Sequence, residues 1–344
     1  MPPALTTVQD LLHSGLATVD DAPALAEVAQ EFRIRISPQM RAAMEQGDGL
    51  AAQFVPTVAE STIRPEELAD PIGDARFSPA PGLTHRYPDR VILAATQTCE
   101  VYCRFCFRRE TVGAAGALPE ADLVQALDHI RHHPAIREVI LTGGDPLSLS
   151  PRRVAALLTR IAAIDHVEVV RFHTRVPMVA PERITDDLLA ALDVRPAVYV
   201  VVHTNHPNEL TEAAKLALRR LTRAGVPLLA QTVLLRGVND DAAVLEALFR
   251  GLIAQRVKPY YLHHCDLAKG TSHFRTTIAE GQAIMAALRG RLSGLALPTY
   301  VLDIPGGAGK VPIGPGYLHP GDVPGRHLVT DWQGGVHPYD DPAR

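Results

Sequence analysis

Three of the four cysteines lie within eight residues, as Cys99, Cys103 and Cys106 of TCEVYCRFCFRR. A CxxxCxxC run suits an iron–sulfur cubane: three thiolates hold three irons and leave the fourth iron without a protein ligand. A structural zinc ion asks for four ligands, usually in two separated pairs. Here no second CxxC follows, and Cys265 is remote in sequence. Burial as plain apolar residues sits badly with Arg104, Arg108 and Arg109 in the same stretch. So few cysteines, so tightly clustered in a long chain, do not make a disulfide framework. The spacing points to cluster ligation, with chemistry at an open iron.

A second reactive group is Lys310 in VLDIPGGAGKVPI. This is not a phosphate-binding P-loop, which needs GxxxxGK, then Ser or Thr, then a helix. Ile304 stands where the first glycine belongs, Val311 follows the lysine, and Pro312 blocks early helix formation. A lysine in an open glycine-rich loop can form a Schiff base with pyridoxal phosphate, or it can simply be solvated. Asp266 in HHCDLAKGTSHFR and Asp303 in VLDIPGG each follow a strand-like run. Either is a turn cap or a counter-charge for a cationic ligand. Arg86, Tyr87 and Arg90 share PGLTHRYPDR. Guanidinium groups suit a phosphate dianion through paired hydrogen bonds, although at a strand start they serve equally as solvated charges. His263 and His264 precede Cys265, but adjacent strand residues point to opposite faces, so this trio does not converge on a metal.

Such groups need a scaffold, and the sequence supplies one. Short β-branched runs occur at 91–96, 138–142, 167–174, 197–203, 227–235, 260–264 and 299–303. Between most of them lie amphipathic stretches such as EADLVQALDHIRHH and PRRVAALLTRIAAI. The alternation predicts parallel βαβ units in a full or partial barrel, with a doubly wound open sheet as the competitor. Polar residues recur at the strand ends: Cys99, then Gly143, Gly144 and Asp145, then His173 and Arg175, then His203, Gln231, Asp266 and Asp303. The C-terminal ends of barrel strands form the active-site face, so one large pocket is expected there. Residues 1–84 read as a helical and extended segment wrapped on the core, 85–310 as the barrel, and 311–344 as a loop-like tail.

The bulk properties narrow the function. The 344 residues are 47% hydrophobic, with 34 basic and 38 acidic side chains for a net charge of −4. That balance, with only 5% aromatic residues, argues against a nucleic-acid binder. MPPALTTVQDLLHSG carries neither the basic nor the apolar region of a secretory signal. No apolar run approaches the roughly 18 residues of a membrane span. A cytoplasmic protein without membrane attachment is expected.

The cysteine spacing together with TGGDPL resembles the radical S-adenosylmethionine enzymes, and adding PGGxGK makes the chain similar to the lysine 2,3-aminomutase family. The likeness runs from about Ile34 to about Pro315. It implies a partial parallel (βα)6-type barrel and three cofactors: a [4Fe–4S] cluster on Cys99, Cys103 and Cys106, S-adenosylmethionine, and pyridoxal 5′-phosphate on Lys310. The cluster then cleaves S-adenosylmethionine to a 5′-deoxyadenosyl radical. Arg86, Tyr87 and Arg90 would surround the pyridoxal group. Gly143, Gly144, Asp145, His203 and Gln231 would line the S-adenosylmethionine side, the glycines letting backbone carbonyls approach the ligand's ammonium. Arg108 would bind the substrate carboxylate, and Asp266 and Asp303 its side-chain ammonium. The family's glutamate enzymes lack that acid pair, so L-lysine is the implied substrate and β-lysine the product. An external electron donor of the flavodoxin or ferredoxin type is also implied, and a homo-oligomer is compatible. Two features pull elsewhere. Longer members carry a zinc site on cysteines beyond the lysine, and this chain has none after Cys265. CRFCFRR and the short length look like a sister branch that isomerises lysine for elongation factor P, whereas PGGAGK and CDLAKGTSHFR look like the free-lysine enzymes. A related aminomutase on another cationic amino acid, or a non-catalytic iron–sulfur sensor, are the remaining alternatives.

Overall fold

The computed structural model describes residues 3–45 and 49–342. Its centre is a nine-stranded sheet whose spatial order follows the chain from first strand to last. The strands are β1 (Leu83–Tyr87), β2 (Arg90–Thr96), β3 (Glu138–Gly143), β4 (Val169–Thr174), β5 (Ala197–His203), β6 (Leu228–Leu234), β7 (Val257–His264), β8 (Thr299–Ile304) and β9 (Gly309–Pro312). Neighbours from β2 to β8 pair in parallel, while β1 and β9 are antiparallel to β2 and β8. A doubly wound sheet reverses its strand order at a switch point. None occurs here, so the arrangement is the expected partial barrel rather than its competitor. Across the two ends of the sheet, Tyr87 Oη accepts the backbone N–H of Lys310 at 3.0 Å.

The crossover helices form for local reasons. In Pro151–Ala162, Ser150 caps the first turn, accepting from Arg153 N, and proline takes an early position where its missing N–H costs nothing. Val154, Leu157, Leu158 and Ile161 then fall on one face and are buried against the sheet. Thr211 and Asp241 cap Glu212–Arg223 and Ala242–Ala254 in the same way. The N-terminal part adds short helices at Val8–His13, Ala22–Glu31 and Pro38–Met44. Leu11, Ile36, Met40, Leu50 and Phe54 from this part join the barrel's own hydrophobic core.

Three expectations need correction. The segment around Arg86 is not merely a strand start: it is β1, an added antiparallel edge strand. Lys310 does not sit in an open loop. Gly306, Gly307 and Gly309 have φ of 76°, 87° and 105°, and this left-handed backbone turns the chain back at once so that β9 pairs with β8. The tail is not loop-like either. Leu318–Pro320, Arg326–Thr330 and Val336–Asp340 (β10 to β12) form a separate antiparallel sheet. Its strands are short and Pro338 lies on an edge strand, where a missing N–H is tolerated, so composition hid the alternation.

Candidate active site

All fifteen residues given a cofactor or substrate role above line one cavity of about 610 Å³, which runs inside the barrel from the C-terminal ends of the strands to Arg90 and Glu138 at the starts of β2 and β3. Its volume lies within the range of small-molecule and cofactor sites.

The cysteine loop follows β2 and is held from below. Glu60, fully buried, receives Arg104 at 2.6 Å and also pairs with Arg109. Arg104 further donates to Arg33 O at 2.8 Å, and its own backbone N–H donates to Gln53 O at 2.8 Å. Arg104 and Arg109 therefore pin the loop to the N-terminal segment, and of the three arginines only Arg108 lines the cavity. Burial pushes the Cys99 thiol well up, with the charges of Asp145, Cys106 and Cys103 adding to it, and pushes Cys106 to about 11. Cys103 is also raised by burial, opposed by Arg175, whose Nη1 lies 2.7 Å from Cys103 Sγ. Gathered thiols that resist ionisation need a metal to hold them as thiolates. Among the described residues no three Cys, His or carboxylate side chains converge as ligands of a single ion.

The glycine pair also has a packing reason. A Cβ at Gly143 would meet Thr96 O at 2.8 Å, and one at Gly144 would meet Thr98 O at 2.5 Å. Gly144 N–H donates to Thr96 O and Asp145 N–H to Thr98 O. The glycines thus admit the backbone that leads into the cysteine loop. The Asp145 carboxylate turns inward, accepting from Leu147 N, Thr174 Oγ1, Arg175 N and Val176 N. It locks the ends of β3 and β4 together.

On the other side, register decides. Asp303 on β8 stands opposite Lys310 on β9, which places both side chains on one face, and their charged ends form an ion pair. Burial would raise the Asp303 carboxyl, but the His263 hydrogen bond and the Lys310 charge bring it down to about 2. Asp266 goes the opposite way: burial and the Asp303 charge push it up to about 7. Arg86 donates to Ile72 O at 2.5 Å and to Asp74 Oδ1 at 3.1 Å, and Asp74 Oδ2 receives Arg108 at 2.5 Å. Arg90 lies 3.8 Å over the Tyr87 ring and pairs with Asp89.

Sequence reasoning left several groups unassigned. His173 and Arg175 were visible at a strand end, and Arg171, two residues before His173 on β4, also faces the cavity, paired with Glu138 at 2.8 Å. His263 lines the cavity while His264 turns away to Tyr300, as strand alternation requires. Asp74 lies in an irregular stretch that gave no signal. The Nε2 atoms of His173, His203 and His263 and the Nε of Arg86 are buried without a protein partner. Burial keeps all three imidazoles neutral by lowering their pKa. Buried polar atoms of this kind normally face a ligand or ordered water, so the residues fit bound cofactors.

The Radical SAM superfamily model matches residues 93–248, and a model described as Lysine-2,3-aminomutase matches residues 285–344. The chain is 38% identical to the L-lysine 2,3-aminomutase of Fusobacterium nucleatum over 98% of its own length and 80% of that protein. The chain belongs to the lysine 2,3-aminomutase family. A putative L-lysine 2,3-aminomutase of Aquifex aeolicus is 47% identical, covering 79% of this chain and 74% of that one. The glutamate 2,3-aminomutase of Clostridioides difficile is 39% identical, covering 91% and 75%. As a member of the lysine 2,3-aminomutase family the chain is an isomerase of the radical S-adenosylmethionine type, working with a [4Fe–4S] cluster, S-adenosylmethionine and pyridoxal phosphate. No helix among the described residues is long and apolar enough to cross a membrane.

Proposed function

We propose that this protein moves the amino group of L-lysine from C2 to C3, giving β-lysine, with the cavity residues in the following roles. Bound there, the cluster with S-adenosylmethionine supplies a carbon radical that removes a hydrogen atom, and pyridoxal phosphate a conjugated ring that delocalises the unpaired electron. Cys99, Cys103 and Cys106 ligate the cluster, and Arg175 offsets thiolate charge at Cys103. Gly143, Gly144 and Asp145 shape the floor of the S-adenosylmethionine side, with His203 and Gln231 on its wall. Lys310 carries the pyridoxal group covalently, and Arg86, Tyr87 and Arg90 hold its phosphate. Arg108 takes the substrate carboxylate, and Asp303 with Asp266 takes the side-chain ammonium. The barrel keeps water from the radical and holds the three components in register. Reduction of the cluster draws on an external one-electron donor.

One observation carries the choice of substrate: Asp266 and Asp303 share the cavity with Lys310 and the cysteines. A carboxylate pair attracts a cationic side chain and repels that of glutamate. The test is anaerobic. The protein is reconstituted with iron, sulfide and pyridoxal phosphate, given reductant, S-adenosylmethionine and L-lysine, and β-lysine is quantified by mass spectrometry. Turnover to free β-lysine supports the reading. 5′-Deoxyadenosine without β-lysine would mean another substrate, and no cleavage with an intact cluster would favour a non-catalytic iron–sulfur protein.

A further inference from the structure

Lys310 does not face Asp303 alone. His263, on β7, places Nδ1 3.3 Å from Lys310 Nζ and 3.5 Å from Asp303 Oδ2. Ammonium, imidazole and carboxylate therefore form a closed triangle, while His263 Nε2 is buried without a partner. Tyr261 meets the imidazole edge-on at 5.6 Å, and His173 and His203 are the titratable groups whose own pKa the His263 charge lowers. An ammonium must shed a proton before its nitrogen can attack a carbonyl carbon. Asp303, a carboxylate already paired with that ammonium, is a weaker base than an imidazole.

Resting on the pyridoxal reading above, we infer that His263 is the base that receives this proton, its Nδ1 accepting from Lys310 Nζ and then, as imidazolium, donating to Asp303. The freed electron pair on Nζ forms the bond to the carbonyl carbon, and the carbonyl π pair moves to oxygen. That oxygen leaves as water, taking one proton from the attacking nitrogen and one from the imidazolium; the third ammonium proton stays on nitrogen. Lys310 gives up a charge that His263 takes, so Asp303 keeps a positive partner and the triangle stays neutral. A buried site tolerates that exchange far better than the appearance of an unpaired charge. Burial and the Lys310 charge favour the neutral form of His263, the form whose lone pair can accept the proton.

The test follows loading, not turnover. Full-length, cluster-bearing protein produced without pyridoxal phosphate is mixed with it, and the absorbance change of condensation is timed for wild type, His263→Gln and His263→Asn from neutral to alkaline pH. At neutral pH the variants should load at least about 100-fold more slowly, the scale of general-base catalysis, and approach the wild-type rate in alkali, where hydroxide takes over the base's task. Equilibrium binding of pyridoxamine phosphate, which has no carbonyl, should be unchanged. Wild-type loading rates at neutral pH in both variants would overturn the relay. So would an equal loss of pyridoxamine phosphate binding, which would make His263 a packing group. A wild type that binds neither compound fails at the pyridoxal reading itself, and the relay falls with it.

Discussion

At neutral pH the two carboxylates beside Lys310 differ in charge, because Asp303 has a cation at hand and Asp266 has mainly its neighbour's negative charge and burial. An acid raised to about 7 is about half ionised at that pH and loses its charge as the pH falls further. Lysine should therefore bind progressively more weakly as pH falls through 7, seen as a rising KM, and Asp266→Asn should flatten that profile. Asp303→Ala removes one carboxylate proposed to face the substrate ammonium inside the cavity, a loss of about 3 kcal/mol by the scale of an enclosed ion pair. It should raise the lysine KM by roughly 100-fold while pyridoxal phosphate content stays near normal. An equal loss of pyridoxal phosphate would count against a substrate role. At this scale the gathering of these residues in one cavity was readable from their places at the strand ends, whereas the roles of Lys310 and the two acids came from the family resemblance. What escaped was partnership: nothing in the letters says that Arg104 and Arg109 serve Glu60, or that Asp74 bridges Arg86 and Arg108.

The strand ends explain why small residues stand where they do. At Gly144 an added Cβ would press on the backbone of Gln97 and Thr98, which cannot move without carrying the cysteine loop along. Gly144→Ala should cost about 1–3 kcal/mol by overpacking. The measurable sign is less iron bound per chain after reconstitution, with the far-ultraviolet dichroism preserved. The same change at Gly116, where a Cβ meets nothing within 4 Å, should leave iron content unchanged. The seven parallel strands were legible because buried parallel strands are nearly continuous apolar runs. β9 was not, since its four residues GKVP carry no alternation and owe their pairing to the turn before them. The helix Ile278–Leu288 also escaped notice: it is apolar on most sides, so its periodicity is weak.

For the molecule as a whole, the N-terminal segment is part of the machine rather than an appendage. Glu60 pairs with two guanidinium groups of the cysteine loop, and all three side chains are buried. Glu60→Gln would leave those cations uncompensated, a cost of about 3–5 kcal/mol. Urea unfolding should register it as a lower midpoint, together with poorer retention of iron; an unchanged midpoint would show that the pairing is dispensable. The barrel itself is a sheet whose two ends meet at Tyr87 and Lys310. A tube slit along its length twists far more readily than a closed one, and it yields at the slit. Here that compliance is gathered at Lys310, the residue proposed to carry the pyridoxal group. A molecule seated across both edges acts as a rivet, so the stiffness of the barrel becomes a gauge of what it holds.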